Sequence, residues 1–414
     1  NGIWGEEAQG DENDIPCVRV ADFDRQKLQV QLCQPTIRNV TDKERVGRLL
    51  ERGNLLLEKS GGGEGQPVGC VVLYDDPQPA VCSNFVAKVE LAPGMNPSYW
   101  RYVHAAAYAV RLTIGSINQT SGIQNLDQDR YFNERAAFPP SDEQAAIATF
   151  LDHETAKIDA LVAEQEKLIA LLQEKRQAVI SHAVTKGLNP NAPMKDSGVE
   201  WLGEMPGHWE VRRIRDLSSF LTSGPRGWSE RISEEGAKFI QSGDLTDELS
   251  IAFDEAKRVA VNDDAEAART KLADGDVVVC ITGAKTGNVA LCGVVPEDAY
   301  VNQHLCLIRP RPDILPDLLA IYLKSDAGQR HFAVAQYGLK QGMSLENIKE
   351  TPVLVPPIHE QRQIVEIARS TSVSIGALIT AARTAITLLQ ERRTALVSAA
   401  VTGQIDVRGW AKAA

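Results

Sequence analysis

FPPSDEQAAIATFL (138–151) returns as VPPIHEQRQIVEIA (355–368), and LLQEKRQAVISHAVT (171–185) returns as LLQERRTALVSAAVT (388–402). The offset is fixed. Pro139 and Pro356 stand 217 residues apart, as do Thr185 and Thr402 (356 − 139 = 402 − 185 = 217), so no gap separates the two matches. Internal repetition sets the architecture before any local reading. Two copies rather than many argue against a solenoid. They point to one chain imitating a two-fold dimer, which suits a target with two halves.

The repeated stretches read as long helices. Ser141 with Gln144 forms a capping box behind Pro139-Pro140, and no Gly or Pro follows before Lys186. Apolar residues recur at spacings of three and four: Ile147, Leu151, Ile158, Leu161, Leu168, Leu172 and Val179, with Glu154, Gln165 and Lys175 interrupting. The spacing predicts one helix over 141–185, roughly 65 Å long, and a second over 358–402 with Ile364, Ile375, Leu378, Leu389 and Leu396 on the matching stripe. Gly376 should weaken the second copy by about 1 kcal/mol. A long narrow apolar stripe wants a helical partner, and the nearest is the other copy. Antiparallel pairing would place a globular domain at each end, with helix length as the ruler between them.

The segments between the helices read as mixed α/β domains. Short β-like runs (18–20, 55–57, 68–74) lie between Gly and Pro clusters, and Asn96-Pro97 opens a helix running to about Leu112. The two mixed domains match faintly. Gly2, Gly5, Asp22 and Gly53 align with Gly224, Gly227, Asp244 and Gly275 at an offset of 222, Asn84 with Asn302 at 218, and Gly122 with Gly342 at 220. The helices keep their sequence while the domains keep only a skeleton, so the helices do one job twice and the domains do related but different jobs. The lead-in to the second domain, 201–223, has no counterpart in the first, because Asn1 aligns with Ser223; about twenty residues of the first domain are expected to be missing.

The chain has 414 residues, 43% hydrophobic and 24% charged, an ordinary globular composition. No apolar run near 18 residues stands out, so no membrane span is expected. Seven cysteines, none in a C-x-x-C pair, read as buried free thiols of a reducing cytoplasm. The net charge of −11 lowers the expectation of nucleic-acid binding without excluding it, since a basic face can coexist with acidic helices.

Gly283-Ala284-Lys285-Thr286-Gly287 invites a phosphate-loop reading, but its Lys precedes the second Gly and a strand follows. A tight turn presenting Lys285 to a phosphate fits better. Asn96-Pro97-Ser98-Tyr99 approaches the Asn-Pro-Pro-Tyr motif of amino-methyltransferases with the third residue wrong, and a helix start is favoured. No metal spacing and no Ser-His-Asp arrangement emerges.

Pro-Pro followed by Glu-Gln, then a long helix ending in Leu-Leu-Gln-Glu-Lys/Arg-Arg and Ala-Val-Thr, resembles the DNA-specificity subunit of type I restriction–modification enzymes. Gly275-Asp276-Val277-Val278 with Thr282-Gly283, Gly342-Met343-Ser344 leading to Val353–Pro357, its counterpart 122–126 leading to Phe138-Pro139-Pro140, and the connector 186–189 with 201–209 resemble the same family. The resemblance implies an α+β protein: two α/β target-recognition domains alternating with two long helices in an antiparallel coiled coil, quasi-two-fold. Its parts are recognition domain 1 (1–138, N-terminally incomplete), helix 1 (139–187), connector (188–210), recognition domain 2 (211–354), helix 2 (355–405) and a tail (406–414). It implies no catalysis in this chain, cytoplasmic location and a role in phage defence. The partners would be double-stranded DNA, two modification (methyltransferase) subunits and restriction subunits, with S-adenosylmethionine, ATP and magnesium held by the partners. A methyltransferase with built-in recognition domains and a coiled-coil scaffold that binds no DNA are the rival readings.

Within that reading the DNA-facing candidates are Lys59 at the Gly-rich stretch 61–65, Gln119 and Thr120, Arg226, Lys285, and Tyr337, Lys340 and Gln341. Gln and Lys read base edges, and cations neutralise phosphate. The polar pieces repeated on the helices, Glu143, Gln144, Lys175 and Arg176 with Glu360, Gln361, Arg392 and Arg393, are the candidates for docking partner subunits.

Overall fold

The computed structural model describes residues 1–120, 122–336 and 342–410. Candidates Tyr337, Lys340 and Gln341 lie outside the described residues. The chain divides into two compact units, Asn1–Glu166 with Arg383–Ala414 and Lys167–Ala382. The two long helices form as expected, Ser141–Lys186 and Ile358–Val401, each unbroken, Gly376 included. Each helix gives one half to each unit.

The two units share a β-skeleton. In unit 1 a sheet runs Glu6–Glu7, Thr36–Asn39, Asp14–Val18, Val81–Cys82, the last pair parallel. In unit 2 the order is Ile232–Ser233, Lys257–Val259, Ala237–Ile240, Ala299–Val301, again with the last pair parallel. A second sheet is built on Val86–Val89, Asn54–Glu58 and Val71–Tyr74 in unit 1, and on Leu305–Pro310, Val277–Cys280 and Val289–Leu291 in unit 2. The central strand is antiparallel to both neighbours in each unit. Gly53 and Gly275 lead into these central strands with φ of +93° and +81°, a conformation that a side chain resists. Both also sit under a proline that opens a helix, Pro97 of Pro97–Ala109 and Pro316 of Pro316–Lys324. The offset of 222 therefore marks real equivalences, but two pairings are corrected: Asn302 takes the place of Ser83, since Asn302 N donates to Ile240 O as Ser83 N does to Val18 O, and Gly342, bridged to Thr282, takes the place of Asn125, paired with Ser60.

The helix halves pack antiparallel within each unit. In unit 1, Ile147 and Leu151 near the start of the first helix share a core with Val397, Ala400 and Val401 at the end of the second, together with Leu55, Val71, Tyr99 and Trp100. Arg393 Nε meets Asp159 Oδ1 at 3.1 Å across the pair. In unit 2, Ala183 and Val184 at the end of the first helix share a core with Ile364, Val365 and Ala368 at the start of the second.

The apolar ladder holds at Ile147, Leu151, Ile158, Ile364 and Ile375 but slips by one residue in mid-helix. Val162 and Ile379 are buried, whereas Leu161, Leu168 and Leu378 are exposed. Leu161 and Val162 stand side by side, as do Leu168 and Ile169, so the 3.6-residue period admits either phase. The leucine phase would draw Glu154 and Lys175 into the seam. The phase adopted buries Thr155 instead, its hydroxyl bonded to the Leu151 carbonyl at 2.7 Å.

The connector 188–210 is more ordered than its Pro, Gly and Asn content predicts. It carries a hairpin, Met194–Asp196 against Glu204–Pro206, and sends Leu202, Met205 and Trp209 into the unit 2 core. The run 18–20, expected as a strand, ends one at Val18 and turns into a 3-10 helix over Val20–Asp22. The hydropathy reading is also corrected: an 18-residue window of Ile358–Val401 reaches a mean hydropathy of 1.5, which by length and composition alone would suffice to cross a membrane. Its Ala, Ile, Leu and Val content raises the average while Ser and Thr interrupt any unbroken apolar run, and the helix commits Ile364 and Val397 to protein cores. Six cysteines are buried and Cys33 is exposed.

One buried titratable group gives unit 1 a pH dependence. His104 lies among Trp100, Tyr131 and Phe132 with Nδ1 2.8 Å from the Tyr131 hydroxyl. Burial pushes its imidazole down to about 4. Between the unfolded value near 6.5 and that figure, the unfolded chain binds a proton that the folded chain does not, so stability falls as pH falls through this window. Unit 1 should lose about 1–2 kcal/mol between pH 7 and pH 5. Hydrogen exchange at the two pH values, corrected for intrinsic rates, should show the loss in wild type and a flatter response in His104→Asn.

Candidate functional site

The repeated Glu-Gln pair has a structural task. Gln144 is fully buried. Its Oε1 accepts from Asn96 N at 2.8 Å, and its Nε2 donates to the carbonyls of Gly94 (3.1 Å) and Pro139 (2.9 Å). Gln361 makes the same three bonds, with Leu315 N at 2.8 Å, Asp313 O at 3.0 Å and Pro356 O at 2.9 Å. Asn96 and Leu315 are the N-caps of the helices Pro97–Ala109 and Pro316–Lys324. Each glutamine thus ties the start of a long helix to the start of its unit's short helix. This corrects the expectation that Gln144 and Gln361 face a partner, since no partner reaches a buried amide. Glu360 is likewise occupied internally, accepting from Trp209 Nε1 at 3.0 Å and paired with His208 Nε2 at 2.6 Å. Arg393 is half-buried on Asp159 and Gln26 O. Its repeat Arg176 has no such partner, because Gly376 stands where Asp159 stands in the other copy. Glu143 is half-buried, and Lys175 and Arg392 are exposed.

Replacing a clamp glutamine by leucine keeps the volume and strands a backbone N–H and two carbonyls. Gln361→Leu should cost unit 2 about 2–3 kcal/mol, and Gln144→Leu should cost unit 1 the same. Faster hydrogen exchange at 315–319 in the first variant and at 96–100 in the second, each without effect on the other unit, is the expected result.

The DNA-facing candidates among the described residues gather where three loops converge, and they do so once in each unit. In unit 2, Gly224 N donates to Asn302 O at 3.2 Å, Ile281 N to His304 O at 2.8 Å, and Met343 N to Ile281 O at 2.8 Å. In unit 1, Ile3 N donates to Cys82 O at 2.7 Å, Lys59 N to Phe85 O at 2.9 Å, and Leu126 N to Lys59 O at 2.8 Å. The close approach of the first loop explains two glycines. A Cβ on Gly224 would lie 2.0 Å from Val301 O, and one on Gly2 would lie 1.8 Å from Ser83 O. The same backbone frame is thus built twice.

The side chains on that frame differ. In unit 2, Arg226 stands exposed on the first loop. Lys285 is exposed on a turn closed by Thr286 N to Gly283 O at 3.0 Å, its Nζ 3.3 Å from Gly243 O. In the third loop the Thr282 hydroxyl lies 2.5 Å from His304 Nδ1, and Gln303 Nε2 lies 3.3 Å from His304 Nε2. In unit 1, Trp4 takes the place of Arg226, with Arg38 over its ring at 4.6 Å. Lys59 Nζ lies 3.3 Å from Asn1 Oδ1, and Phe85 is exposed on the third loop. Gln119 and Thr120 lie on the strand Ile117–Thr120, which pairs with Ile123–Leu126, and that strand takes Ser60–Gly61 on its other side. The hairpin therefore brings Gln119 into one three-stranded sheet with Ser60–Gly61, which Lys59 directly precedes. Trp4, Phe85, Thr282, Gln303 and His304 were missed by motif reading. The pairings of Gly2 with Gly224 and Asn84 with Asn302 pointed to their loops.

Two sequence look-alikes resolve. The 283–287 segment is a turn into the strand Val289–Leu291, not a helix start. Asn96 Oδ1 accepts from Ser98 N (2.9 Å) and Tyr99 N (3.2 Å), a helix cap, and the Tyr99 ring is buried. Exposed cations beside amide, imidazole and aromatic side chains make a surface suited to phosphates and base edges.

The profile of the type I restriction modification DNA specificity domain matches residues 206–372. The specificity subunit of the EcoKI type I restriction enzyme of Escherichia coli (strain K12) is 26% identical over 268 residues, 62% of this chain and 54% of that protein. The EcoBI specificity subunit of Escherichia coli is 24% identical over 313 residues, 70% of this chain and 61% of that protein. The chain thus spans between about half and three fifths of these relatives. A chain from a study of complex assembly and conformational transition of the type I R-M system shares the fold with a TM-score of 0.73 at 14% identity, covering 95% of this chain and 92% of that one. The HsdS subunit from Thermoanaerobacter tengcongensis gives 0.55 at 15% identity, covering 95% and 91%.

Proposed function

We propose that this chain, a member of the type I restriction–modification DNA specificity family through residues 206–372, is the sequence-reading subunit of such a system. Each unit reads one half of a bipartite target in double-stranded DNA, and the paired helices set the gap. The observation that carries the reading is the doubled three-loop frame, with two of its three backbone bonds made at equivalent residues in both units and different side chains around them. Duplicating a frame while changing its reading groups suits two half-sites of unlike sequence. The Asn96 helix cap and the buried Tyr99 ring speak against the rival in which this chain is itself a methyltransferase. Catalysis, with S-adenosylmethionine, ATP and magnesium, belongs to two modification subunits and the restriction subunits.

The modification subunits dock on an apolar flank of the helices. Leu161 and Leu388 in unit 1, and Leu171 and Leu378 in unit 2, are 50–59% exposed, and 378 and 388 are the repeats of 161 and 171. Each directly precedes a seam residue: Val162, Leu389, Leu172 and Ile379. In an antiparallel pair, positions one before the seam fall on the same side. Lys175 and Arg392 are exposed on the same helices.

The test is reconstitution with a modification subunit, followed by methylation mapping on a random DNA library. Methylation of one split sequence, changing in only one half when residues 211–354 are exchanged for those of a relative, is expected. Partner binding with sequence-independent methylation would overturn the reading in favour of a scaffold.

A further inference from the structure

We infer that the turn joining the parallel-paired strand to its successor, Asn302-Gln303-His304 in unit 2 and Ser83-Asn84-Phe85 in unit 1, determines which base each unit reads, with Gln303 reading adenine. The inference rests on the proposed DNA-reading role and names residues that role did not identify.

The backbone entry to the turn is held in the same way in both units, Asn302 N donating to Ile240 O at 3.0 Å and Ser83 N to Val18 O at 2.9 Å. Asn302 is buried, and its Oδ1 accepts from His304 N at 3.0 Å. Backbone bonds clamp both sides of the turn, Gly224 N to Asn302 O and Ile281 N to His304 O in unit 2, and Ile3 N to Cys82 O and Lys59 N to Phe85 O in unit 1. A rigid backbone with interchangeable side chains is what a reading position requires. Precision comes from the frame and identity from the side chain.

In unit 2 the side chains form a relay. Gln303 Nε2 donates to His304 Nε2, so the imidazole proton sits on Nδ1 and is directed at the Thr282 hydroxyl. The relay fixes the amide plane and leaves Gln303 one N–H and its Oε1. An amide presenting one donor and one acceptor side by side matches the N7 and N6 edge of adenine in the major groove. His304 and Thr282 are positioning residues. In unit 1, Phe85 has no hydrogen-bonding group. It offers only apolar contact, which suits a thymine methyl or a base face. Trp4 against Arg226 repeats the contrast on the neighbouring loop.

The experiment is methylation mapping with the full chain and its modification subunit, comparing wild type, Gln303→Ala, Phe85→Ala, Thr282→Val and Thr282→Ser. Gln303→Ala should relax discrimination at a single adenine of one half-site roughly tenfold to a hundredfold and leave the other half unchanged. Phe85→Ala should relax a single position in the other half only. Thr282→Val should partly reproduce Gln303→Ala, and Thr282→Ser, which keeps the hydroxyl, should restore wild-type selectivity. A Gln303→Ala complex with unaltered specificity, or one with methylation lowered equally at every site, overturns the inference while leaving the DNA-reading role intact. A wild-type complex that methylates no split sequence overturns both.

Discussion

Trp209→Ala should destabilise unit 2 by about 4–5 kcal/mol. The ring is fully buried in the core shared by both helix halves of that unit. Removing a buried Trp costs about 3–5 kcal/mol by itself. The indole also donates to Glu360 Oε2 at 3.0 Å, so its loss leaves a half-buried carboxylate with only His208 beside it. Burial raises the Glu360 carboxyl, but the bonds from Trp209 and His208 outweigh it and hold the group below the usual carboxylate range. Its contribution is therefore present above the unfolded value near 4.5 and is lost as pH falls through the lowered folded value. Trp209→Phe separates the two effects. It keeps most of the packing, loses the hydrogen bond, and should cost about 1–2 kcal/mol at pH 7. Hydrogen exchange over 201–213 and 315–325 reads the loss for unit 2 alone, which a single melting temperature for two units would blur. Equal protection in Trp209→Ala and wild type would mean that the connector is not part of the unit 2 core.

That core also shows where the sequence was legible and where it was not. The fixed offset of 217 residues announced two helices, and Ser141–Lys186 and Ile358–Val401 followed it closely because a Pro-Pro start and apolar periodicity act locally, although the capping box expected of Ser141 and Gln144 does not form, the Gln144 amide being spent on the clamp. The phase of the seam was not legible. Leu161 beside Val162, and Leu378 beside Ile379, offer two adjacent stripes of equal hydrophobicity, and only packing against the rest of each unit chooses between them. The repeated Glu-Gln was visible, but its task was misread. A glutamine clamping a helix cap and a glutamine facing a partner give the same pattern, and Asn96 and Leu315 share no side-chain chemistry that would signal the clamp. The three-loop frame left a trace only where backbones approach too closely for a Cβ, at Gly2 and Gly224. Its remaining bonds are backbone bonds, which any side chain satisfies, so Phe85 and His304, whose carbonyls accept from Lys59 N and Ile281 N, stand at matching places without matching. Recognition surfaces are hard to read for this reason: the invariant part is main chain and the informative part is free to vary.

Under the proposed assembly, aspartate on the exposed helix flank should remove modification subunits one at a time. Leu161→Asp with Leu388→Asp alters only unit 1, and Leu171→Asp with Leu378→Asp alters only unit 2. All four leucines are at least half exposed. The substitutions therefore cost the isolated chain little beyond helix propensity, about 1 kcal/mol or less for each residue. In a complex each leucine would bury its apolar surface, worth roughly 1.5–3 kcal/mol, and each aspartate would bring an unpaired carboxylate into the contact. Affinity at the altered flank should fall at least a hundredfold. Native mass spectrometry of the reconstituted complex should then show one modification subunit for either double variant, none for the quadruple variant and two for wild type. Surface charge alone does not explain such a result if Glu164→Lys and Glu174→Lys, made elsewhere on the first helix, leave two subunits bound. Two subunits on the quadruple variant at wild-type affinity would place the docking surface elsewhere. The exposed leucines would then be a by-product of the seam phase, repeated because the helix was duplicated rather than because a partner binds there.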